Sequence, residues 1–331
     1  MWFKQEKSDA SGMSEQCQSH LTNLRTNGVN VTIAELLQYQ SKSHLIDLSA
    51  RKNIHGKQAG NYLSRSKGRG MEFDEVRHYQ TGDDIRAIDW RVTARTGKTH
   101  TKLFREEIER PVLVATDLSN NMHFGSQLLF KSVQACHIAA LVAWHAKSRG
   151  DRLGGIVFNQ HSHVELKPRS RKEGVLHYLH ALTSIHESAQ TSESDNNGFE
   201  QNCARLRQLA KPGSLVYFIT DAHPLNNKEQ QSTLRHLSQI SQHCELVICL
   251  VYDPMELSLP QSDLKISVNL TDGYNRQTLT LGDKDTTDKY HNQASAAFKR
   301  KQYLLSKSGA RVIEFSAGET LEGQLKHGVK N

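Results

Sequence analysis

The sequence PVLVATDLSNN occupies residues 111–121 and indicates the class of fold. Its apolar run, Val112 to Ala115, is bounded by polar turn residues, and a long helical pattern follows. A short apolar run of this kind is typical of a buried strand in a parallel sheet. Strand-like and helix-like segments then alternate, which predicts an α/β fold with a doubly wound, mostly parallel sheet.

The alternation extends over residues 111–320, which we interpret as one α/β domain. An antiparallel edge strand is expected at 162–166, and the other strands are predicted at 112–116, 153–158, 215–220, 245–251 and 311–315. Helices are predicted at 126–148, 172–185, 199–209, 229–241 and 290–306. The polar residues 258–286 contain two short alternating runs, which predict an insertion or a small hairpin.

Two segments precede this domain. Residues 1–30 are polar, and we expect a disordered N-terminal tail. Residues 31–110 are predicted to form a small N-terminal accessory subdomain. Its predicted parts are a helix over 32–48 that begins with a Thr32–Glu35 capping box, a loop over 57–70, and extended segments at 71–79 and 101–104.

The composition argues against a protein that spans a membrane. Of the 331 residues 37% are hydrophobic, but the mean hydropathy is −0.61. The longest apolar runs, at 138–144 and 246–252, fall far short of the roughly 20 residues that a spanning helix needs. The N-terminus has no apolar signal-peptide core, and the five cysteines form no CxxC pair. We therefore expect a reducing, cytoplasmic compartment.

The formal net charge of +7 is unevenly spread. Residues 51–110 contain 14 Lys or Arg and 9 Asp or Glu, so a nucleic acid or an anionic lipid is a conceivable partner. The basic residues are interleaved with acidic ones, however, and the segment has no recognisable nucleic-acid motif. A basic nucleic-acid-associated protein remains a less favoured alternative, and the salt dependence of binding would test it.

Polar side chains follow two of the predicted strands. Asp117, Ser119 and Asn121 lie in the loop after the first strand, and Asp221 follows the strand at 215–220. Ligands of parallel sheets bind at the carboxyl ends of the strands, where Asp221 can approach Asp117. These oxygen ligands suit Mg²⁺, with Mn²⁺ or Ca²⁺ as alternatives. In the alternative interpretation, Asp117 and Ser119 cap the following helix or hydrogen-bond the loop.

An upstream block resembles the signature of domain-of-unknown-function family 58. The matching segments are 68–73, Arg77, Tyr79, 82–90, 94–95 and 104–106, and the turn at 150–154 is also similar. The resemblance covers roughly residues 30–320. It implies a von Willebrand factor A-like domain after the block, in which a DxSxS loop, a distant Thr and a TD loop form a metal-ion-dependent adhesion site. A carboxylate of the partner protein completes the coordination of the ion in such sites.

This chain departs from that pattern at one position. Asn121 takes the third place of the loop, which reads DxSxN, and its bulkier side chain can crowd an octahedral ion. The distant Thr is not secure either, because Thr183 is one candidate while Thr220 lies directly beside Asp221.

The resemblance implies a non-enzymatic adaptor that works with a MoxR-type AAA+ ATPase in chaperone-like assembly. A metal-dependent hydrolase that uses the same loop is the alternative, with His223 as the candidate general base. The sequence contains no GxSxG elbow, no GxxxxGKS phosphate loop and no GxGxxG fingerprint after a strand.

The signature block itself has two interpretations. Trp and Arg are typical anchors of protein interfaces, so the block can be a partner-contact surface. The candidate residues are Asp83, Asp84, Arg86, Asp89, Trp90 and Arg91. The other interpretation is a salt-bridged clamp that docks the front segment on the α/β domain.

Overall fold

The computed structural model describes residues 10–46, 71–106, 110–188, 198–226, 230–260, 266–271 and 276–326. The loop predicted at 57–70 lies outside the described residues. The chain divides into two compact units, Ala50–Glu109 and the combination of Met1–Ser49 with Arg110–Asn331.

The described strands are β1 (Met71–His78), β2 (His100–Glu106), β3 (Pro111–Asp117), β4 (Arg152–Phe158), β5 (His163–Arg169), β6 (Leu215–Thr220), β7 (Glu245–Tyr252), β8 (Ile266–Thr271), β9 (Arg276–Leu281) and β10 (Arg311–Ser316). The described α-helices are α1 (Ala10–Leu24), α2 (Ile33–Leu37), α3 (Trp90–Thr96), α4 (Lys131–Ser148), α5 (Arg171–Ser188), α6 (Gly198–Leu209), α7 (Gln230–His243), α8 (Pro254–Leu257), α9 (Lys284–Lys307) and α10 (Leu321–Lys326). None of the described helices is long and apolar enough to cross a membrane.

The larger unit is built on a six-stranded sheet with the order β10-β7-β6-β3-β4-β5. All neighbouring pairs are parallel except β4 and β5, which pair antiparallel at one edge. The predicted doubly wound, mostly parallel sheet is therefore confirmed, including its antiparallel edge. The hairpin of β8 and β9 falls in the segment where an insertion or small hairpin was predicted.

Apolar residues cover both faces of the central strands, because helices pack on both sides of the sheet. Along β3, Val112 and Val114 point to one core, and Leu113 and Ala115 point to the other. The first core is closed by α4 and α5, and the second by α6, α7 and α9. Because both faces of these strands are buried, their sequences are continuous apolar runs and do not alternate between apolar and polar residues.

The N-terminal segment differs from the sequence-based prediction. Residues 10–24 form helix α1 where a disordered tail was expected, and Leu24 is buried. The Thr32–Glu35 capping box is confirmed, but it begins only the five-residue helix α2, which 3-10 turns follow. Leu36 and Tyr39 are fully buried in the core that contains α4. The predicted accessory segment, 31–110, is therefore wrong at its start, because residues 31–46 belong to the α/β unit.

Helix α4 begins at Lys131, five residues later than predicted. The amide of Leu129 donates to the carbonyl of Ala317 (3.1 Å), and that of Phe130 donates to the carbonyl of Gly28 (2.8 Å). Phe130 itself has an extended backbone (φ −69°, ψ 149°), so the helix begins at the next residue.

The smaller unit is an antiparallel hairpin of β1 and β2 with a turn and helix α3 between its strands. The extended segments predicted here are confirmed. Gly97 ends α3 in the left-handed conformation (φ 72°), which glycine adopts without strain.

Candidate functional site

The loops after β3 and β6 meet at the carboxyl edge of the sheet, as the sequence predicts. The hydroxyl of Thr220 donates to Asp117 Oδ2 (2.7 Å), and the amide of Ser119 donates to Asp117 Oδ1 (3.0 Å). Asp117 is fully buried and Asp221 is 3% exposed. Thr220, which lies beside Asp221 in the sequence, therefore links the loop after β6 to the loop after β3 by its hydrogen bond to Asp117.

A lysine that the sequence analysis did not identify lies in the same cluster. The Nζ atom of Lys131 donates to Asp221 Oδ2 (2.7 Å) and to Glu256 Oε1 (2.6 Å). Lys131 is 1% exposed. The amide of His223 donates to Asp221 Oδ1 (2.9 Å), so both oxygens of this carboxylate accept hydrogen bonds. The Nζ atom of Lys301 donates to the backbone carbonyl of Asp221 (3.2 Å).

The two buried aspartates differ in their electrostatics. Burial, together with the charge of Asp221, raises the pKa of Asp117 to about 6. Burial alone would also raise the pKa of Asp221, but Lys131 and Lys301 outweigh it and lower that pKa to about 2. Burial acts to lower the pKa of Lys131, and the charges of Asp221 and Glu256 raise it above its ordinary value. Asp221 and Lys131 therefore stay ionised at neutral pH, and Asp117 is the group that titrates.

The remaining predicted residues of this edge have other contacts. Ser119 precedes a short 3-10 turn at 120–122 and makes no side-chain cap there. The side chain of Asn121 pairs with His223 Nδ1 (3.0 Å), which joins the two loops. The hydroxyl of Thr183 donates to the carbonyl of His180 on its own helix (3.0 Å), not to the Asp117 network.

This arrangement does not fit a divalent ion held between Asp117 and Asp221. The Lys131 ammonium already lies 2.7 Å from Asp221 Oδ2, so an ion that bound this oxygen would meet a fixed positive charge. In the described part of the chain, no group of three or more His, Cys, Asp or Glu side chains is placed to hold a metal. The amide of Ser119 donates to Asp117 within the loop. This is the kind of hydrogen bond expected if the two residues stabilise the loop instead of binding a metal.

A second buried polar pair lies on the neighbouring helices. Ser132 and His186 are 3.2 Å apart (Oγ to Nε2), and the rings of His186 and His123 have centroids 4.9 Å apart. Burial and the neighbouring His123 lower the pKa of His186 to about 4. Because Ser132 is fully buried, its hydroxyl is not accessible to a substrate.

In the smaller unit, the three candidate carboxylates serve local structure. Asp83 accepts from Arg77 (2.7 Å), and Asp84 accepts from the amide of residue 86 (2.9 Å). Asp89 begins α3 by accepting from the amides of residues 91 and 92 (3.0 and 3.1 Å). Backbone hydrogen bonds, more than the nearby cations, hold the pKa values of Asp83 and Asp89 below their ordinary range. The other candidates project outward, since Arg86 and Arg91 are exposed and Trp90 is 67% exposed.

These features define a doubly wound α/β protein with a buried, charge-balanced polar cluster at the carboxyl edge of its sheet. The family described as "Protein of unknown function DUF58" matches residues 75–302. The chain belongs to this family.

Two uncharacterized mycobacterial proteins are similar to this chain over about two thirds of its length. The uncharacterized protein Mb1516 of Mycobacterium bovis is 26% identical over 216 residues, which is 65% of this chain and 65% of that protein. The uncharacterized protein Rv1480 of Mycobacterium tuberculosis has the same identity and coverage. The match thus spans about 65% of the length of these curated relatives.

Two solved structures are similar at low identity. One is the conserved hypothetical protein BatB from Bacteroides thetaiotaomicron, with 13% identity, a TM-score of 0.36, and coverage of 60% of this chain and 98% of that chain. The other is an aerotolerance-related membrane protein from Bacteroides fragilis, with 12% identity, a TM-score of 0.38, and coverage of 66% and 97%. Similarity at this level says nothing about activity or partners.

Proposed function

We propose that this chain is a non-enzymatic protein-interaction module that contacts its partner with the carboxyl edge of the larger sheet. The main support is the buried polar cluster at this edge, in which Lys131 donates to Asp221 and Thr220 donates to Asp117. Such a cluster fixes the shape of the two edge loops without presenting an accessible nucleophile. A preformed surface of this kind suits recognition better than chemistry.

The loop after β3 supplies an exposed anchor for a partner. Phe124 is 40% exposed, and its carbonyl accepts from the amide of Lys131 (2.8 Å), which ties it to the start of α4. The Asn121–His223 pair lies across the same two loops. Aromatic residues, Phe among them, are enriched at protein interfaces.

The partner that we propose is an AAA+ ATPase of MoxR type. This proposal draws on the resemblance to domain-of-unknown-function family 58, whose members are usually encoded beside such ATPases. The exposed residues of the signature block, Arg86, Trp90 and Arg91, are the candidates for a second contact.

Affinity capture from a lysate of the source organism tests the proposal. The full chain serves as bait in Mg²⁺ and again in EDTA, and the captured proteins are identified by mass spectrometry. We expect an AAA+ ATPase with the wild-type bait and at least a tenfold loss with Phe124→Ala, the effect of removing one hot-spot side chain. Tyr303→Ala is the matched control, because Tyr303 on α9 is also an exposed aromatic residue (65%).

Other outcomes would favour the alternatives. Turnover of generic phosphoesters or peptides that is lost in His223→Ala would support the hydrolase. Salt-dependent binding of DNA or RNA, with no captured ATPase, would support the nucleic-acid-associated protein.

A further inference from the structure

We infer that the ammonium group of Lys131 is the permanent cation of the carboxyl edge. It occupies an oxygen of Asp221, one of the two carboxylates that a divalent ion would have to share, so the edge keeps its structure and makes its contacts without metal. This inference concerns the same site as the proposed function. It rests on that proposal in one respect, which is that this edge of the sheet contacts a partner.

The position of Lys131 is costly in two ways. Its side chain is 1% exposed, and burial disfavours a charged ammonium group. It is also the first residue of α4, where the positive end of the helix dipole disfavours a cation. The two carboxylates at 2.7 and 2.6 Å are the groups that offset both costs.

Each oxygen of the two aspartate carboxylates already accepts a hydrogen bond. Asp221 Oδ2 accepts from Lys131 and Asp221 Oδ1 from the amide of His223. Asp117 Oδ2 accepts from Thr220 and Asp117 Oδ1 from the amide of Ser119. Mg²⁺ demands near-ideal octahedral geometry, and each of these hydrogen bonds takes one of the directions from which an ion could approach its oxygen. An ion that reached Asp221 Oδ2 would also lie beside a fixed positive charge.

The charges of Lys131 and Lys301 balance those of Asp221 and Glu256 without an added ion, and ionised Asp117 adds one negative charge. Lys131 pairs with Asp221 and Glu256, and Lys301 lies on the backbone carbonyl of Asp221. A divalent ion would leave this group of side chains with an excess of positive charge in a buried setting, which is unfavourable. Removal of the ammonium would instead leave Asp117 and Asp221 as two neighbouring carboxylates, which is the arrangement that attracts a divalent ion.

The test uses the isolated full-length chain and needs no partner. Mn²⁺ binding is measured by the loss of the free-ion signal in electron paramagnetic resonance, and thermal stability is measured in EDTA and in millimolar Mg²⁺. For the wild type we expect no Mn²⁺ uptake and the same melting temperature in both conditions. For Lys131→Met we expect a lower melting temperature in EDTA that rises with Mg²⁺, because a ligand that binds only the folded chain stabilises it.

Two further variants make the result specific. Lys301→Met removes the other nearby ammonium but leaves Lys131, and it should acquire no metal response. Lys131→Met combined with Asp221→Asn should lose the response, because the carboxylate that the ion would use is gone.

Two results would overturn the inference. One is wild-type Mn²⁺ uptake that Asp117→Ala abolishes, and this result does not depend on the folding of any lysine variant. The other is a folded Lys131→Met protein with no response to metal. Neither result involves the ATPase, so a failure here would leave the adaptor proposal standing, and a failed capture would leave this inference standing.

Discussion

Replacement of Asp117 by asparagine should remove a pH dependence from the stability of the larger unit. Asp117 is fully buried at the end of β3, and burial together with Asp221 raises its pKa to about 6, against 3.8 for an exposed aspartate. Asparagine has nearly the same shape but carries no charge. The variant therefore retains the size of the side chain while removing its titration.

The size of the effect follows from the two pKa values. A folded-state pKa of about 6 and an unfolded-state value of 3.8 correspond to about 3 kcal/mol of free energy of unfolding. Because the folded-state pKa is the higher one, the folded chain binds the proton more tightly. Stability from this group is fully present below pH 3.8 and is lost as the pH rises through about 6.

Urea unfolding of wild type and variant between about pH 4 and about pH 7 measures this difference. The free energy of unfolding of Asp117→Asn, minus that of the wild type, should increase by about 2 kcal/mol across this interval, which is most of the full effect. Asp288→Asn on α9 is the matched control, because the same chemical change at an exposed carboxylate should give a flat difference. A flat difference for Asp117→Asn as well would refute the electrostatic assignment of the two aspartates.

Three further substitutions test the packing around the site. Tyr178→Phe removes a hydroxyl that donates to the carbonyl of Val114 (3.0 Å) in the core, and it should cost about 1–3 kcal/mol in urea unfolding. Gly155→Ala would place its Cβ 1.9 Å from the Val114 carbonyl oxygen, so the variant should yield little folded protein by circular dichroism; normal yield and melting would contradict this geometry. Glu35 and His137 form a fully buried hydrogen-bonded pair, so a double-mutant cycle with alanine should give a coupling energy of about 0.5–3 kcal/mol, whereas simple additivity would exclude the pairing.

Most of the α/β unit could be predicted from the sequence, because its periodic patterns are local. The strand predicted at 215–220 coincides with β6, and that at 112–116 lies inside β3. The start of α4 was predicted too early because Phe130 is extended, and the amides of Leu129 and Phe130 donate to the carbonyls of Ala317 and Gly28, far along the chain. Such long-range hydrogen bonds leave no trace in a periodic pattern.

The N-terminal segment was misjudged for a related reason. Residues 1–30 are polar on average, and average composition led to the expectation of a disordered tail. A few apolar residues hold this segment to the domain, since Leu24 is buried in the same core cluster as Trp144 and Leu21 packs against that cluster. Buried contacts, not mean polarity, determine whether a segment is held to a domain.

The strand-end cluster shows why carboxylates in a sequence pattern do not identify the cation that neutralises them. Asp117 and Asp221 could be located because both follow apolar strands, and two buried carboxylates require a compensating positive charge. A divalent ion and a lysine ammonium both supply it, but the lysine lies ten residues beyond Asn121, on a helix whose start the pattern misplaced. Since Lys131 supplies the charge beside Asp221, we expect no ion at this edge for a partner carboxylate to coordinate. Recognition would then depend on Phe124 and the shape of the two loops, and binding should be the same in Mg²⁺ and in EDTA.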